Sequence, residues 1–423
     1  MTRVRLSRRG FLRGTLAAPA APLILKASAF GANDRIGMGF IGLGGRGSGI
    51  LRSFVRPNVS EAIAVCDTWR DRAERMSQAL PSKPYPTTDF RDVVTRDDID
   101  AVTIASPDHW HVLLSIAAFK NGKDVYCEKP LSVTIQEGRA LADTARRYGR
   151  VFQHGTHQRS YFGFRHVCEL ALNGYIGKVH TIRVCERGGH QCGIRKPVPV
   201  PPQLDHELWL GPAPWSPFMG QSVGGGGWQF RSDYTAGWIS GCGVHPLDIA
   251  QWGNGTDRTG PLEIEGTGTF PTDGYNDTAI DWNVTFRYAN GVKLIFTSTH
   301  DNVNSPEVGA RFEGTEGWAM AQGNAASYLG QPESLLKVQF KPNDIRLCES
   351  RDHSGNFLDC VRSRRETVAP AEVAHRSTTL CLLADIALRL KRRLRWNPDK
   401  EQFLGDDEAN RRLSRAMREP WRL

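Results

Sequence analysis

The sequence predicts an α/β protein with two folded domains: an N-terminal doubly wound parallel sheet of the Rossmann type, and a C-terminal α/β domain with a large, mostly antiparallel open sheet. Three observations predict this fold. Apolar strand patterns alternate with helix patterns from residue 35 to residue 156. A Gly-x-Gly-x-x-Gly turn stands where the first strand meets the first helix. From residue 179 onward, long strand patterns follow one another with few helices between them.

Residues 1–32 are typical of an export signal. The run Arg8-Arg9-Gly10-Phe11-Leu12 resembles a twin-arginine (Tat) signal, and Ala27-Ser28-Ala29 is a small-residue cleavage pattern. The apolar stretch between them is too short to span roughly 30 Å of hydrocarbon as a helix. We therefore expect the Tat machinery to export the protein to the periplasm, with no stable membrane insertion after processing. An uncleaved amphipathic arm is the alternative.

The nucleotide-binding half is predicted from alternating patterns. Strands are predicted over 35–44, 61–67, 99–106, 123–130 and 150–156, and helices over 46–56, 68–80, 108–122 and 134–149. This alternation favours a parallel sheet covered by helices on both faces.

The turn after the first strand contains the glycines of a phosphate-binding site. Gly42, Gly44 and Gly47 allow the chain to turn tightly and to approach a pyrophosphate, which then rests on the N-terminus of the following helix. Arg46, in the same turn, is a further predicted contact to the cofactor. The motif is weak alone, but here a strand precedes it and a helix follows it.

The acid at the end of the second strand predicts which dinucleotide binds. Asp67 is placed to accept the ribose hydroxyls of adenosine, and its charge repels a 2′-phosphate. NAD is therefore favoured over NADP, although Arg70 nearby leaves NADP open. The alternative role for Asp67 is to cap the helix that follows.

Two short motifs follow later strands of the same sheet. Ser106-Pro107 comes after the third predicted strand, and Glu128-Lys129-Pro130 comes after the fourth. Because ligands bind at the carboxyl edge of such sheets, we expect Ser106, Pro107, Glu128 and Lys129 to contact the cofactor. His111 ends the Ser-Pro-x-x-x-His run, and it either contacts the cofactor or orders the loop. A surface ion pair is the alternative for the Glu-Lys pair.

These motifs resemble those of the Gfo/Idh/MocA family, which includes glucose–fructose oxidoreductase, inositol dehydrogenase and rhizopine-catabolism relatives. The resemblance continues through "FQHGTHQRS", "ELWLGPAPW", "GWISGCGVHPLDIAQWG" and "APAEVAHRSTTLCLLADIALRL". It implies an NAD(P)-dependent oxidoreductase in which a Rossmann domain is paired with an α/β domain whose open sheet faces the nicotinamide.

The resemblance implies that Lys129 and His245 are catalytic. A histidine can accept a hydroxyl proton near neutral pH, and a lysine ammonium favours the developing alkoxide. The alternative for His245 is a core or helix-capping histidine. The family often has an acid four residues before this histidine, whereas this chain has Gly241. Asp248 could orient the imidazole or begin a helix. A simple inositol or glucose dehydrogenase therefore does not follow.

The second half of the chain is predicted to be rich in strands. They are predicted over 179–188, 263–270, 280–299, with a turn at Asn290-Gly291, and 310–322. Late helices around 357–360 and over 372–390 are expected to pack on the Rossmann domain. We place the domain boundaries at 1–32 for the signal, 33–153 and 154–391 for the two domains, and 392–423 for a tail.

Long Pro-rich and Gly-rich connections, 195–215 and 222–238, carry tryptophans. Sugar faces stack on aromatic rings and sugar hydroxyls bind polar groups, so this region suits a carbohydrate. The predicted substrate contacts are Arg159, Tyr161, Trp228, Arg231 and Asp248. Anchoring of the loops by buried rings is the alternative for the tryptophans.

Composition excludes other classes. The formal net charge is +9, but six basic residues and no acid lie in 1–32, so no nucleic-acid partner is expected. Cys185, His190 and Cys192 lack a fourth ligand at zinc-like spacing, so no metal site is predicted.

The sequence thus predicts an exported oxidoreductase that acts on a sugar or sugar derivative by hydride transfer and keeps its cofactor tightly bound. Tat signals carry folded proteins, so the cofactor would be loaded before export. A glycoside hydrolase or keto-sugar lyase that uses NAD in a self-regenerating oxidation–elimination cycle is the alternative, and a non-catalytic cofactor-containing binding protein is a third. An exposed open sheet would favour a homo-oligomer, a dimer or a tetramer.

Overall fold

The structure, a computed structural model, describes residues 35–220, 227–300, 308–323 and 327–423. The predicted export signal at 1–32 lies outside the described residues. None of the helices within these ranges is both long enough and apolar enough to cross a membrane.

The first sheet has six parallel strands. They are β1 Ile36–Ile41, β2 Ser60–Cys66, β3 Tyr85–Thr87, β4 Ala101–Ile104, β5 Asp124–Cys127 and β6 Phe152–His154. Their order in the sheet is β3-β2-β1-β4-β5-β6. The strand order changes direction at β1: β2 and β3 lie on one side of it, and β4 to β6 lie on the other. The carboxyl ends of β1 and β4 therefore form a topological switch point. The predicted doubly wound sheet is confirmed.

Helices connect the strands of this sheet. They are α1 Gly45–Phe54, α2 Arg70–Ala79, α3 Arg91–Val94, α4 Asp108–Lys120 and α5 Ile135–Tyr148. The limits of α5 follow from its sequence. The Thr134 side chain accepts the Glu137 N–H while the Glu137 carboxylate accepts the Thr134 N–H, and Gly149 ends the helix at φ 58°.

The second sheet has nine strands. They are β7 Val179–Arg187, β8 Glu263–Thr269, β9 Asp281–Arg287, β10 Lys293–Thr299, β11 Gly309–Gly314, β12 Gly317–Gln322, β13 Ser327–Gln331, β14 Leu394–Asn397 and β15 Gln402–Phe403. Their order is β13-β12-β11-β7-β10-β9-β8-β14-β15. The β7–β10 pair is parallel and the other pairs are antiparallel, as predicted for a mostly antiparallel sheet.

Seven α-helices within the described ranges follow the first sheet along the chain. They are α6 Phe162–Leu172, α7 His206–Leu210, α8 Trp238–Gly241, α9 Val244–Gly253, α10 His353–Ser363, α11 Ala371–Leu390 and α12 Asp407–Arg411. Helix α11 contacts α5 of the first domain as well as α9 and β8 of the second. The late helices therefore pack on the Rossmann domain, as predicted.

The C-terminal residues differ from the sequence prediction. Residues 392–423 were assigned to a tail, yet Leu394 pairs with Ile264 and the Trp396 side chain is 1% exposed within the main core. Two strands of this stretch, β14 and β15, extend the second sheet.

Candidate active site

A glycine turn at the carboxyl end of β1 forms a cradle. Gly42 has φ 87°, and a Cβ there would lie 2.6 Å from the Ala105 backbone. A Cβ on Gly47 would lie 1.9 Å from the Gly42 carbonyl oxygen, whereas a Cβ on Gly45 would have nothing within 4 Å. Gly44 precedes α1 with no side-chain cap and no acid in the first turn. The first N–H groups of α1 are thus available to a pyrophosphate, and the residues fit a dinucleotide.

Asp67 lies in the same crevice, next to the turn. Its carboxylate accepts the Leu43 N–H at 2.8 Å and the Trp69 N–H at 2.9 Å. Burial raises the pKa of Asp67, and these hydrogen bonds and Arg72 oppose the shift. The arginine beside Asp67 is Arg72, at 3.8 Å, rather than Arg70, which the sequence had suggested.

Arg46 connects the crevice to the Glu-Lys motif. Its Nε and one terminal nitrogen both lie 2.8 Å from Glu128 Oε1. Burial would raise the pKa of Glu128, but Arg46 and Lys129 outweigh burial and lower it. Glu128 is therefore an anion, and it fixes Arg46 at the mouth of the crevice.

Ser106 and Pro107 line the crevice, whereas His111 holds the loop around them. His111 Nε2 donates to the Ser106 carbonyl at 2.9 Å and Nδ1 donates to the Pro130 carbonyl at 2.7 Å. Because carbonyls only accept, both ring nitrogens carry protons. Burial lowers the pKa of His111, but Cys127, a nearby acid and the Pro130 carbonyl raise it to about 10. Of the two roles considered for His111, the structure favours ordering the loop.

Lys129 reaches from the first domain to the second. Its ammonium donates to the carbonyl of Gly241, in α8. The position where the family often has an acid therefore supplies a backbone oxygen to the lysine. The same cation affects Glu186, a buried carboxylate on β7 that sequence reasoning missed. Burial raises the pKa of Glu186, and Arg187 and Lys129 oppose the shift.

His245 lies close to Lys129, at the start of α9. The ring is half-buried, and its Nδ1 is enclosed with no hydrogen-bond partner among the described residues. Burial and the charge of Lys129 lower the pKa of His245 well below 6.5, so the imidazole is neutral at pH 7. The ring of His157 lies 4.9 Å from that of His245. His157 was also missed, although it stands in the "FQHGTHQRS" segment that carried part of the resemblance.

Arg159 and Asp248, which the sequence predicts as substrate contacts, instead pair with each other in the interior. Both side chains are buried, 3% and 1% exposed, and Arg159 binds both carboxylate oxygens of Asp248 at 2.7 and 2.9 Å. The remaining nitrogen of Arg159 contacts Asp257 and the Val368 carbonyl. Asp248 bonds to Ser377 as well, and not to His245. The pair therefore joins parts of the interior and has no free polar group for a substrate.

The other predicted substrate contacts lie in three different places. Tyr161 is half-buried, and its ring lies 5.6 Å from that of His157, which in turn contacts His245. Trp228 lines the nucleotide crevice. Arg231 binds Asp233 at 3.0 Å.

A segment of the second domain crosses the nucleotide crevice; we call residues 203–218 the strap. The Trp209 carbonyl accepts hydrogen bonds from His109 Nε2 and Trp110 Nε1, each at 3.0 Å. Leu208 and Trp209 line the crevice, which has a volume of about 250 Å³. The strap thus forms part of the wall of the crevice.

Further contacts hold the strap in place. The Asp205 N–H donates to the Thr68 carbonyl at 2.9 Å, next to Asp67. Arg418, near the C-terminus, donates to the Gly211 carbonyl at 3.0 Å. The strap is therefore fixed both to the first domain and to the C-terminal residues.

This fold and site define an NAD(P)-dependent oxidoreductase. Residues 36–156 match the model of the oxidoreductase family's NAD-binding Rossmann fold, and residues 188–423 match that of its C-terminal alpha/beta domain. The chain belongs to the GFO/IDH/MocA oxidoreductase family.

Several named proteins are similar to parts of this chain. The chain is 34% identical over 160 residues to a glycosyl hydrolase family 109 protein of Shewanella pealeana, and the match spans 34% of this chain and 35% of that protein. It is 24% identical over 339 residues to the uncharacterized oxidoreductase YrbE of Bacillus subtilis, across 78% of this chain and 87% of that one. The chain thus spans about a third or less of the glycosyl hydrolase relatives that it matches.

A solved structure confirms the fold. The WlbA dehydrogenase of Bordetella pertussis, in complex with NADH and UDP-GlcNAcA, superposes with a TM-score of 0.65 at 14% identity, over 86% of this chain and 99% of that one. Within the described ranges, no group of three or more His, Cys, Asp or Glu side chains could hold a metal ion.

Proposed function

We propose that this protein oxidises a hydroxyl group of a sugar or sugar derivative with an NAD(H) that stays bound. One observation carries the proposal: the Lys129 ammonium and the neutral His245 imidazole are brought together from two domains, and Arg46 and Glu128 connect them to the dinucleotide crevice.

These residues divide the chemistry between them. When bound, NAD⁺ supplies a two-electron acceptor for hydride. His245 takes the proton of the substrate hydroxyl, because its ring is neutral and only half-buried. Lys129 lies close enough to stabilise the alkoxide that forms, and its own position is fixed by the Gly241 carbonyl.

Tight retention of the cofactor is supported by the strap. Its Trp209 covers the crevice and is bonded to α4 of the nucleotide domain. Release of the dinucleotide would require these contacts to open. We propose NAD rather than NADP, because the Asp67 carboxylate would repel a 2′-phosphate.

The first experiment identifies the bound nucleotide and the reaction. The purified protein is denatured and the released nucleotide is identified by mass. The intact protein is then mixed with free sugars without added NAD. The proposal predicts NAD and a rise in the reduced-nicotinamide absorbance band. A protein that holds NAD but shows no redox change and no product with any sugar or glycoside would be a binding protein.

Glycoside cleavage is the second candidate function. The similarity to glycosyl hydrolase family 109 proteins favours it, and so does the second imidazole beside His245. In this form the oxidation is reversed at the end of each turnover, so no external oxidant is consumed. Cleavage of a glycoside with an unchanged final nicotinamide absorbance would distinguish it from net oxidation.

We also propose that the chain is exported by the twin-arginine route and forms a homo-oligomer through the open face of its second sheet. Strand β9 supports the second point: Asn283 and Arg287 are exposed, whereas Trp282, Val284 and Phe286 are buried on the other face. Light scattering of the purified protein measures the oligomer, and a monomeric mass would contradict it.

A further inference from the structure

A second cleft, which we call the basic cleft, lies beside α5 and away from the nucleotide crevice. It has a volume of about 830 Å³, against about 250 Å³ for the crevice, and the two have no lining residue in common. Its walls come from α5, the loop between α10 and α11, the first turns of α11 and the turn between β14 and β15. Neither Lys129 nor His245 lines it, so the proposed reaction gives this cleft no role.

Basic side chains outnumber acidic ones in the basic cleft. Seven arginines and one lysine line it together with four carboxylates. Two further carboxylates, Asp124 and Asp143, pair with Arg364 and Arg146 from outside the lining. Eight cations against six carboxylates leave two positive charges in excess. A cleft with an excess of one sign of charge concentrates ligands of the opposite sign.

Most carboxylates of the basic cleft are bound to particular arginines. Glu372 binds Arg139 at 2.7 Å and Arg376 at 2.8 Å. Burial would raise the pKa of Glu372, but the two arginines outweigh burial and lower it to about 2. Glu366 binds Arg258 at 2.8 Å. These carboxylates neutralise their own partners and leave the other cations of the cleft unneutralised.

Three cations of the basic cleft have no carboxylate partner among the described residues: Arg150, Arg365 and Lys400. Arg150 donates only to two backbone carbonyls, and Arg365 donates only to the Ser363 hydroxyl, at 3.3 Å. Arg365 and Lys400 are exposed, so a ligand can reach them. The three come from separate segments of the chain, which suits a ligand with more than one negative group.

The first turn of α11 adds to the positive potential of the basic cleft. Pro370 and Ala371 line the cleft, and no side chain caps the helix. The first N–H groups of an α-helix have no partner within it, and α11 has 20 residues. Phosphate groups bind both to such N–H groups and to the planar fork of arginine. The helix therefore supports what the unpaired cations indicate.

We propose that the basic cleft binds an oligophosphate, an anion in which two or more phosphate groups are linked. Arg365, Lys400 and Arg150 would bind the phosphate oxygens, and the first turn of α11 would contribute N–H groups. The phosphates belong either to an inorganic chain or to an organic molecule, whose apolar part could contact Ala142 and Phe152 in the lining. This site is independent of the proposed oxidation.

Isothermal titration calorimetry tests the site. Tripolyphosphate is titrated into the full chain with its nucleotide bound, so that the crevice is occupied. We expect one site per chain, and a Kd at least about tenfold weaker in Arg365→Ala with Lys400→Ala. Arg351→Ala with Lys120→Ala removes the same charge at exposed positions outside the cleft, and it should bind like the wild type.

A second titration distinguishes the two sources of phosphate. ATP replaces tripolyphosphate under the same conditions. Tighter binding of ATP, lost in the Arg365/Lys400 variant, would support an organic ligand whose apolar part contacts the cleft. Binding no tighter than that of tripolyphosphate would support an inorganic chain.

Three results would overturn the proposal. The first is a wild-type protein that does not bind tripolyphosphate. The second is equal weakening in the two double variants, which would show only a general attraction to a basic protein. The third is binding that is lost in Arg46→Ala but kept in the Arg365/Lys400 variant, which would locate the anion in the nucleotide crevice.

Thermal unfolding shows that the variants fold. Without ligand, the Arg365/Lys400 variant should keep the wild-type Tm, because both side chains are exposed. With tripolyphosphate, the Tm of the wild type should rise and that of the variant should not, because a ligand stabilises only a protein that binds it. An equal rise in both proteins would count against the cleft as the site.

Discussion

At the scale of single residues, the proposed role of His245 as a base makes the reaction depend on the protonation of this ring. Its pKa lies well below 6.5, because of burial and of the cations Lys129 and Arg46 and the rings of His157 and His154. A base works only when it is unprotonated, so activity is lost only as the pH falls through this lowered pKa. We expect kcat/KM to stay level from about pH 8 down past pH 6.5.

The neighbouring cation provides the control for this profile. Lys129→Met removes one positive charge, so the pKa of His245 should rise and the acid limb should move upward in pH. Residual turnover of the variant is followed across the pH range. An acid limb of wild-type protein centred near 6.5, or a limb that moves downward in Lys129→Met, would contradict the assignment of His245 as a neutral base.

The Arg159–Asp248 pair should act on stability. Arg159→Ala would leave a carboxylate that is 1% exposed without its partner, which costs about 3–5 kcal/mol in the free energy of unfolding. Arg258→Ala, in an ion pair to Glu366 whose side chains are 56% and 60% exposed, should cost about 0–1 kcal/mol. Denaturant unfolding measures both. A raised KM with unchanged stability in Arg159→Ala would restore its role as a substrate contact.

Two glycines of α1 should change the stability of the protein in opposite directions when each is replaced by alanine. Gly47→Ala places a Cβ 1.9 Å from the Gly42 oxygen, so the turn must shift, at about 1–3 kcal/mol and with loss of bound nucleotide. Gly49→Ala meets nothing within 4 Å and should stabilise α1 by about 0.5–1 kcal/mol. Thermal unfolding and nucleotide content are measured for both. Nucleotide retained in full by Gly47→Ala would show that the turn is not the pyrophosphate cradle.

At the scale of elements, we expect the strap to control how long the nucleotide stays bound. The Trp209 side chain is 4% exposed and its ring lies 4.9 Å from that of Tyr234. Trp209→Ala removes this packing, so we expect NAD to dissociate at least about tenfold faster, the equivalent of 1.4 kcal/mol. Trp215→Ala, on a side chain that is 64% exposed, should leave the rate unchanged.

Dialysis followed by measurement of bound nucleotide gives both rates. Equal retention in the two tryptophan variants would mean that the strap does not limit release. Rapid loss from the wild-type protein would contradict the proposal of a retained cofactor altogether.

The same elements show what the sequence could and could not predict. Periodicity and glycine spacing located β1, α1 and the switch point, because each has a strong local pattern. The strap has no regular pattern: it is held by a carbonyl of Trp209 and by distant partners such as Trp110 and Arg418. Contacts made by backbone groups across large sequence distances leave no sign in residue types.

Part of the site was predictable for the same reason, namely a strong local pattern. Lys129 and His245 stand in recognisable motifs, but the Gly241 carbonyl that holds Lys129 is invisible in the sequence. Arg159 and Asp248 are predicted substrate contacts, and only the fold shows that they neutralise each other. His157 could not be found without the fold, because only the fold shows that its ring lies 4.9 Å from that of His245.

At the scale of the whole molecule, the proposed retention of the nucleotide and the proposed export depend on each other. A chain threaded unfolded would leave NAD behind, because the crevice is assembled from β1, β4 and the strap of the other domain. Export in the folded state, directed by Arg8-Arg9, would carry the nucleotide across the membrane. We therefore expect Arg8→Lys with Arg9→Lys to hold the protein, with its NAD, in the cytoplasm.

The matched control for this export prediction is Arg3→Lys with Arg5→Lys, which changes the same residue type outside the twin-arginine motif and keeps the charge. Cell fractionation locates each variant, and the nucleotide content of the periplasmic protein is measured after purification. The control should reach the periplasm with about one NAD per chain, because only a folded chain can enclose the dinucleotide beneath the strap. Periplasmic protein without nucleotide, or export of the Arg8/Arg9 variant at the control level, would show that this chain does not take its cofactor with it.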